Sequence, residues 1–184
     1  MEFEPTSLPG CLRVRSRVLD DDRGSFLKLF NDPAFADAGL CGDWKEVYTS
    51  SSRRGVIRGM HFQLPPDDHH KLVFCLDGEV LDVVLDLRRG SPTENRAIGL
   101  TLTSGSGTGL FIPRGCAHGF LGVSERSTML YLVTSPYSPE RDRGVRWDSF
   151  GFAWPIDVPL LSPRDAAHPA LADFATPFSW VGQP

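Results

Sequence analysis

Apolar residues along most of the chain come in short runs interrupted by Gly, Pro, Ser and Asp, and they seldom recur at helical spacing. That rhythm predicts an all-β sandwich or barrel with a few short helices. In EVLDVVLDLRRGSP, Leu81, Val83, Leu85 and Leu87 alternate with Val80, Asp82, Val84 and Asp86, which predicts a strand with one core face and one face carrying polar groups. AIGLTLTSGSGTGLFIPRG reads as a strand, a Gly/Ser turn and a second strand ended by Pro113, and STMLYLVTSPYSP as a further strand with a proline stop. Near the start, DDRGSFLKLF reads as a turn and a strand. DPAFADAGL predicts a short helix with Asp32 as N-cap and Pro33 at its first position. Beyond Trp154 the prolines multiply, predicting a tail over 155–184 that wraps the body. With 184 residues and no internal repeat, the chain is read as one domain, 1–184.

Charge narrows the partners. The formal net charge is -4, so no global attraction to nucleic acid or to an anionic membrane is expected. No apolar run approaches the ~18 residues of a membrane span. MEFEPTSLPG lacks the basic end and apolar stretch of a secretory signal, so a cytoplasmic protein is expected. Cys11, Cys41, Cys75 and Cys116 have no C-x-x-C spacing, which removes the main support for zinc-ribbon and redox readings.

RGMHFQLPPDDHHKLV, residues 58–73, gathers three histidines, two aspartates and a lysine, and raises the question of a metal site. The segment GTGLFIPRGCAHGF matches the second cupin motif through Gly107, Pro113, Gly115 and His118. In metal-binding cupins the first motif needs H-x-H and a glutamate. Here Leu64 and Pro66 stand at the histidine positions, and Lys71 stands seven before Gly78, where the glutamate belongs. A lysine there repels a divalent ion and offers an ammonium electrophile instead, so no metal is expected.

The segments DDRGSF, RGVIRGMHFQ, HHKLV, GEVLDVVLDLRRGSPT, IPRGCAHGFL, YLVTSPYSPERDRGVRWD and LSPRD, in this order and spacing, resemble the nucleotide-sugar 3,5-epimerases that act on dTDP-4-dehydro-6-deoxyglucose in rhamnose biosynthesis. The resemblance runs from about Gly10 to about Pro169. It implies a cupin-type double-stranded β-helix, or jelly-roll barrel, and epimerisation at C3 and/or C5 of a nucleotide-linked 4-keto-6-deoxyhexose without a cofactor. It also implies a homodimer that exchanges its N-terminal strands, within about residues 1–50.

By the same resemblance His61 is the base, Asp165 its partner, Lys71 the enolate stabiliser and Tyr131 the acid on the opposite face. Arg23, Arg58 and Gln63 are assigned to the nucleotide portion, Tyr137 to stacking on the base, and Phe26 to a similar role from a neighbouring subunit. His118 is assigned to the sugar or to bracing the pocket. Asp82 is a candidate to hold Lys71, His69 and His70 are rim residues, and Arg88, Arg89, Arg141 and Arg143 are read as solvated surface. EVYTS departs from the family pattern at Glu46, Tyr48 and Thr49. Leu132 replaces a common lysine, and Ser135-Pro136 replaces Asp-Tyr. These departures leave open a CDP- or GDP-linked sugar and inversion at one carbon only. Outside catalysis by epimerisation, a non-catalytic sugar-nucleotide-binding cupin and a metal-dependent oxygenase or isomerase are the competing readings.

Overall fold

The computed structural model describes residues 1–182, so the last two residues of the expected 155–184 tail lie outside the described residues. The strands are β1 (Glu2–Pro5), β2 (Leu12–Arg15), β3 (Val18–Asp21), β4 (Gly24–Leu27), β5 (Glu46–Arg53), β6 (Ile57–Gln63), β7 (Lys71–Asp77), β8 (Glu79–Asp86), β9 (Ala97–Thr103), β10 (Thr108–Ile112), β11 (Cys116–Gly122), β12 (Arg126–Val133) and β13 (Asp142–Gly144). Two short helices, α1 (Asp32–Asp37) and α2 (Pro163–Ala166), complete the regular structure with a 3-10 turn at Leu171–Asp173. No helix among the described residues is long and apolar enough to cross a membrane.

Six strands pair in the order β1-β2-β10-β7-β12-β5, and five in the order β13-β6-β11-β8-β9. The interior between the two sheets is filled by alternate residues of each. Val73, Cys75, Leu110, Ile112, Met129 and Tyr131 from the first meet Val80, Val84, Leu102, Cys116 and Phe120 from the second. This is the jelly-roll barrel of the cupin type expected from the sequence. Polar residues collect at one end of that interior and form the site described below.

Strand β8 differs from its expected half-polar pattern, because both of its faces are buried. Val80 and Val84 point into the barrel, whereas Val83, Leu85 and Leu87 lie under a second cluster with Phe150, Phe152, Trp154, Phe174 and Phe178. The segment beyond β13 thus supplies the cover that makes the outer face apolar. Arg88 also departs from its surface assignment. It is 6% exposed, bonds Asp86 through Nε and Nη2 at 2.8 Å each, donates to Pro9 O at 2.9 Å and sits 4.5 Å from the Trp180 ring centroid. A planar fork with five donors can satisfy a buried carboxylate and tie both chain ends to the barrel at once. The helix near the N-terminus starts one residue earlier than expected. Asn31, with extended backbone, accepts from Ala34 N–H at 3.1 Å and is the cap, leaving Asp32 inside the first turn.

One irregularity sets the geometry of the site. Strand β6 pairs with β11 at His118↔His61 and Phe120↔Arg58, so three steps along β6 match two along β11. This bulge cancels the usual alternation and turns both Arg58 and His61 toward the same cavity. Glycines make the close approach possible, since a Cβ on Gly119 would lie 2.7 Å from Arg58 O. Gly119→Ala is expected to destabilise the fold by about 2–3 kcal/mol, as overpacking against backbone does. Chemical denaturation reads this, and an unchanged midpoint would mean the bulge can widen freely.

Candidate active site

A cavity of about 430 Å³ opens at the polar end of the barrel, and strands of both sheets line it. At its floor Lys71, 8% exposed, donates from Nζ to His61 O at 3.2 Å. Burial pushes this ammonium down from 10.5 to about 8, against the pull of Asp142 and Asp82, with Arg164 lowering it further. Asp82 is not the direct partner of Lys71 that the sequence offered. Its Oδ2 instead accepts from His118 Nε2 at 2.8 Å, a pair buried on adjacent strands.

His61 Nε2 donates to Asp165 Oδ1 at 2.6 Å. Ser162 caps α2 by accepting from Asp165 N–H at 3.0 Å, which fixes the carboxylate in the first turn and aims it at β6. Burial opposes the Asp165 charge, but His168 and His61 outweigh it and hold the carboxyl well below the usual carboxylate range. For His61, desolvation is the largest influence and lowers its pKa. Asp165 pulls the other way, and Lys71 and Arg164 add to the lowering. With Nε2 taken, Nδ1 is the nitrogen left to receive a proton.

Tyr131 enters the cavity from β12, 7% exposed. Its hydroxyl meets Ser50 Oγ at 3.0 Å, and its ring stacks on Tyr48 with centroids 4.8 Å apart and planes at 16°. The stack follows from register, because Tyr131 and Tyr48 are direct cross-strand partners. Burial raises the Tyr131 phenol, so it stays protonated at neutral pH. Tyr48 is raised to about 12 by burial and by Glu46 and Asp142.

At the mouth, exposed Arg58 donates from Nε to Ser52 Oγ at 3.0 Å and from Nη2 to Ser51 O at 3.1 Å. Tyr137, 57% exposed, is held through its backbone N–H by Glu46 Oε1 at 2.9 Å. The Glu46 carboxylate therefore spends one oxygen on the loop. Arg164 and Asp142 close one side as an ion pair of 2.6 Å.

Two expectations change. Gln63, assigned to substrate, is 4% exposed and fully engaged. Its Nε2 donates to Asp67 O at 2.9 Å and Pro136 O at 3.1 Å, and its Oε1 accepts from Ser138 N–H at 2.7 Å. It shapes the wall and offers no free donor. Arg23 does not line the cavity of its own chain, and Phe26, expected to act from a neighbouring subunit, does not line it either. Arg23 pairs with Asp21 at the exposed tip of the β3–β4 ribbon, and Phe26 is 59% exposed. Thr49 and Leu132 sit on the strand faces turned away from the cavity, Leu132 within the outer apolar cluster. His69 and His70, lowered by burial to about 3 and about 4, are neutral at pH 7. The sequence reading missed Tyr48 as a contact of Tyr131, and also Asp142, Arg164 and His168.

Among the described residues, the group of His61, Asp165 and His168 has donor atoms within 4.8 Å of one another, the spacing a metal requires. The His61–Asp165 contact is a direct hydrogen bond of 2.6 Å, with no room for an ion between the two groups. Lys71 and Arg164 add positive charge beside it. Both features disfavour a cation there.

The arrangement has an imidazole with its carboxylate, an ammonium, and a neutral phenol around one cavity. The family model described as dTDP-4-dehydrorhamnose 3,5-epimerase matches residues 5–173. The chain belongs to this epimerase family. A dTDP-4-dehydrorhamnose 3,5-epimerase of Sinorhizobium fredii is 37% identical, over 98% of this chain and 95% of that protein. Among solved structures, NovW, a 4-keto-6-deoxy sugar epimerase from the novobiocin gene cluster of Streptomyces spheroides, superposes with a TM-score of 0.90 at 36% identity, covering 94% of this chain and 88% of NovW. ChmJ, a 3'-monoepimerase from Streptomyces bikiniensis solved with dTDP-quinovose, gives 0.86 at 34% identity, covering 91% of this chain and 87% of ChmJ. The cupin-type fold read from the sequence is the fold of these epimerases.

Proposed function

We propose that this epimerase inverts C3 and C5 of a dTDP-linked 4-keto-6-deoxyhexose, taking dTDP-4-dehydro-6-deoxyglucose to dTDP-4-dehydrorhamnose without a cofactor. The observation that carries this reading is the His61–Asp165 pair and the Tyr131 hydroxyl around one cavity whose floor is a buried ammonium. The C4 carbonyl acidifies the protons on C3 and C5. His61 Nδ1 takes one of them, and Asp165 stabilises the resulting imidazolium. The C–H electron pair moves to the carbonyl oxygen as an enolate, which Lys71 neutralises, with His118 beside it. Tyr131 then delivers a proton to the opposite face. Arg58 takes the diphosphate and Tyr137 stacks on the base.

The substrate pocket is completed in a homodimer. The β3–β4 ribbon stands apart from both sheets, with Leu19 47% and Phe26 59% exposed. A second copy laid against it brings Arg23 and Phe26 to the partner's cavity. Free thiols at Cys11, Cys75 and Cys116 suit a reducing cytoplasm.

Incubation with dTDP-4-keto-6-deoxyglucose in D2O, read by NMR, tests the reading. Deuterium at both C3 and C5 with inversion supports it. Deuterium at one carbon establishes the second reading, a mono-epimerase, which the likeness to ChmJ favours. No exchange with dTDP-, CDP- or GDP-linked substrate makes the protein a binding module. Tyr131→Phe is expected to keep deuterium exchange from the His61 face while inversion falls about 100-fold, the low end for a positioned acid. Exchange and inversion lost in parallel would give Tyr131 a different role.

A further inference from the structure

His168 is an imidazole beside the His61–Asp165 pair that the proposed chemistry does not use. Its backbone is held on both sides, by Ala167 N–H on Arg164 O at 3.1 Å and Arg146 N–H on Pro169 O at 2.8 Å. The ring meets that of His61 edge to face, with centroids 5.6 Å apart and planes at 74°. Its Nε2 stands 3.6 Å from the same Asp165 Oδ1 that accepts from His61. That nitrogen is buried and has no hydrogen-bond partner. Such an atom carries an unrecovered desolvation cost, and Asp165 Oδ1 is the acceptor it faces. A movement of about half an ångström closes the gap to hydrogen-bond range.

The backbone beside that same nitrogen is fitted to the ring. A Cβ on Gly144 would lie 2.4 Å from His168 Nε2, so any side chain at 144 displaces the imidazole. Gly144 is also the register partner of His61 across β13 and β6. The bare backbone at 144 leaves room for a second imidazole at the carboxylate.

We propose that His168 is a positioning residue that shares Asp165 Oδ1 with His61 and thereby sets the basicity of the catalytic imidazole. The proposal rests on the reading of His61 as the base. A carboxylate oxygen that accepts from two N–H groups divides its charge between them, leaving less to stabilise imidazolium at His61. His168 therefore keeps His61 unprotonated and able to accept a proton at neutral pH. The other charged groups facing the dyad are Lys71 from β7 and Arg164 from α2, which oppose imidazolium, and Asp142 from β13, which is neutralised by Arg164. The His118–Asp82 pair faces it from β11 and β8. None of these shares the Asp165 oxygen.

The test is the pH profile of kcat/KM for the wild type, His168→Ala, His168→Gln and Gly144→Ala, with histidine NMR titration of each resting enzyme. In His168→Ala and in Gly144→Ala the acid limb and the His61 titration are expected to move up by about half a pH unit or more, because the carboxylate regains its full pull on His61. KM stays unchanged, and His168→Gln, with an amide donor, restores the limb. Loss of activity in Ala and Gln variants alike with the His61 titration unmoved makes His168 a packing residue and overturns the proposal. The NMR titration needs no turnover, so a wrong function and a wrong role for His168 give different results.

Discussion

His61→Asn is expected to lower kcat about 1000-fold or more while KM changes only a few-fold, because a positioned base contributes about 10²–10⁴ to proton transfer. Asparagine is shorter and its amide overlays Nδ1 rather than Nε2, but Asp165 keeps His168 beside the same oxygen, so the variant folds. It has no nitrogen able to accept a proton where Nδ1 stands. His61 is only partly buried, 27% exposed as a side chain, and the loss of packing is accordingly small. Deuterium incorporation from D2O at C3 and C5 should vanish together with product. A rate within about tenfold of wild type would move the base elsewhere, since no positioned general base is worth so little. The dyad also makes the loss cooperative. Asp165→Asn is expected to cost much of the same factor, as it leaves the imidazolium without its counter-charge.

The strands were legible because alternation reports a sheet directly, and the Gly and Pro residues that end the runs mark where the chain turns. The face assignment of β8 was not legible. Which of Leu81, Val83, Leu85 and Leu87 meets solvent depends on Phe152, Phe174 and Phe178, far along the chain and in a stretch with little periodicity of its own. Arg88 was misjudged for the same reason, since its partners Pro9 and Trp180 come from the two ends. The mouth residues were half legible. In EVYTS the period of two puts Glu46, Tyr48 and Ser50 on one face and Thr49 on the other, so strand parity alone sorts the departures that touch the cavity. The same parity turns Leu132 away when Tyr131 turns in. His168 carried a local signal, standing three residues after Asp165 at a helix end, where side chains meet. The bulge between Arg58 and His61 carried none, because it depends on how β6 pairs with β11.

Lys71→Met is expected to cut turnover by orders of magnitude and to stabilise the fold. The gap between an ordinary 10.5 and about 8 for the buried ammonium corresponds to about 3 kcal/mol of unfavourable burial. Methionine fills similar volume without charge. It also leaves His61 O without its donor, at a cost of about 1 kcal/mol, so the net gain at pH 7 is about 2 kcal/mol. The pH dependence gives the sign independently. Below about pH 8 the folded protein carries the charged lysine and the full penalty. Between about 8 and 10.5 the folded state has released a proton that the unfolded state still binds, so wild-type stability from this group rises with pH. Lys71→Met lacks that rise, and its advantage fades as pH increases through the same window. Turnover should fall about 10²–10³-fold, the loss expected when a preorganised group facing a developing oxyanion is removed. Denaturation midpoints at several pH values, set beside the exchange assay, measure both effects. A destabilised variant at pH 7, or one that still turns over, would mean that the ammonium is not held under strain for the enolate. The strain has a physical reason. A cation that is costly in the empty cavity is compensated only when negative charge forms on the substrate oxygen, so its interaction is concentrated in the transition state rather than in the ground state.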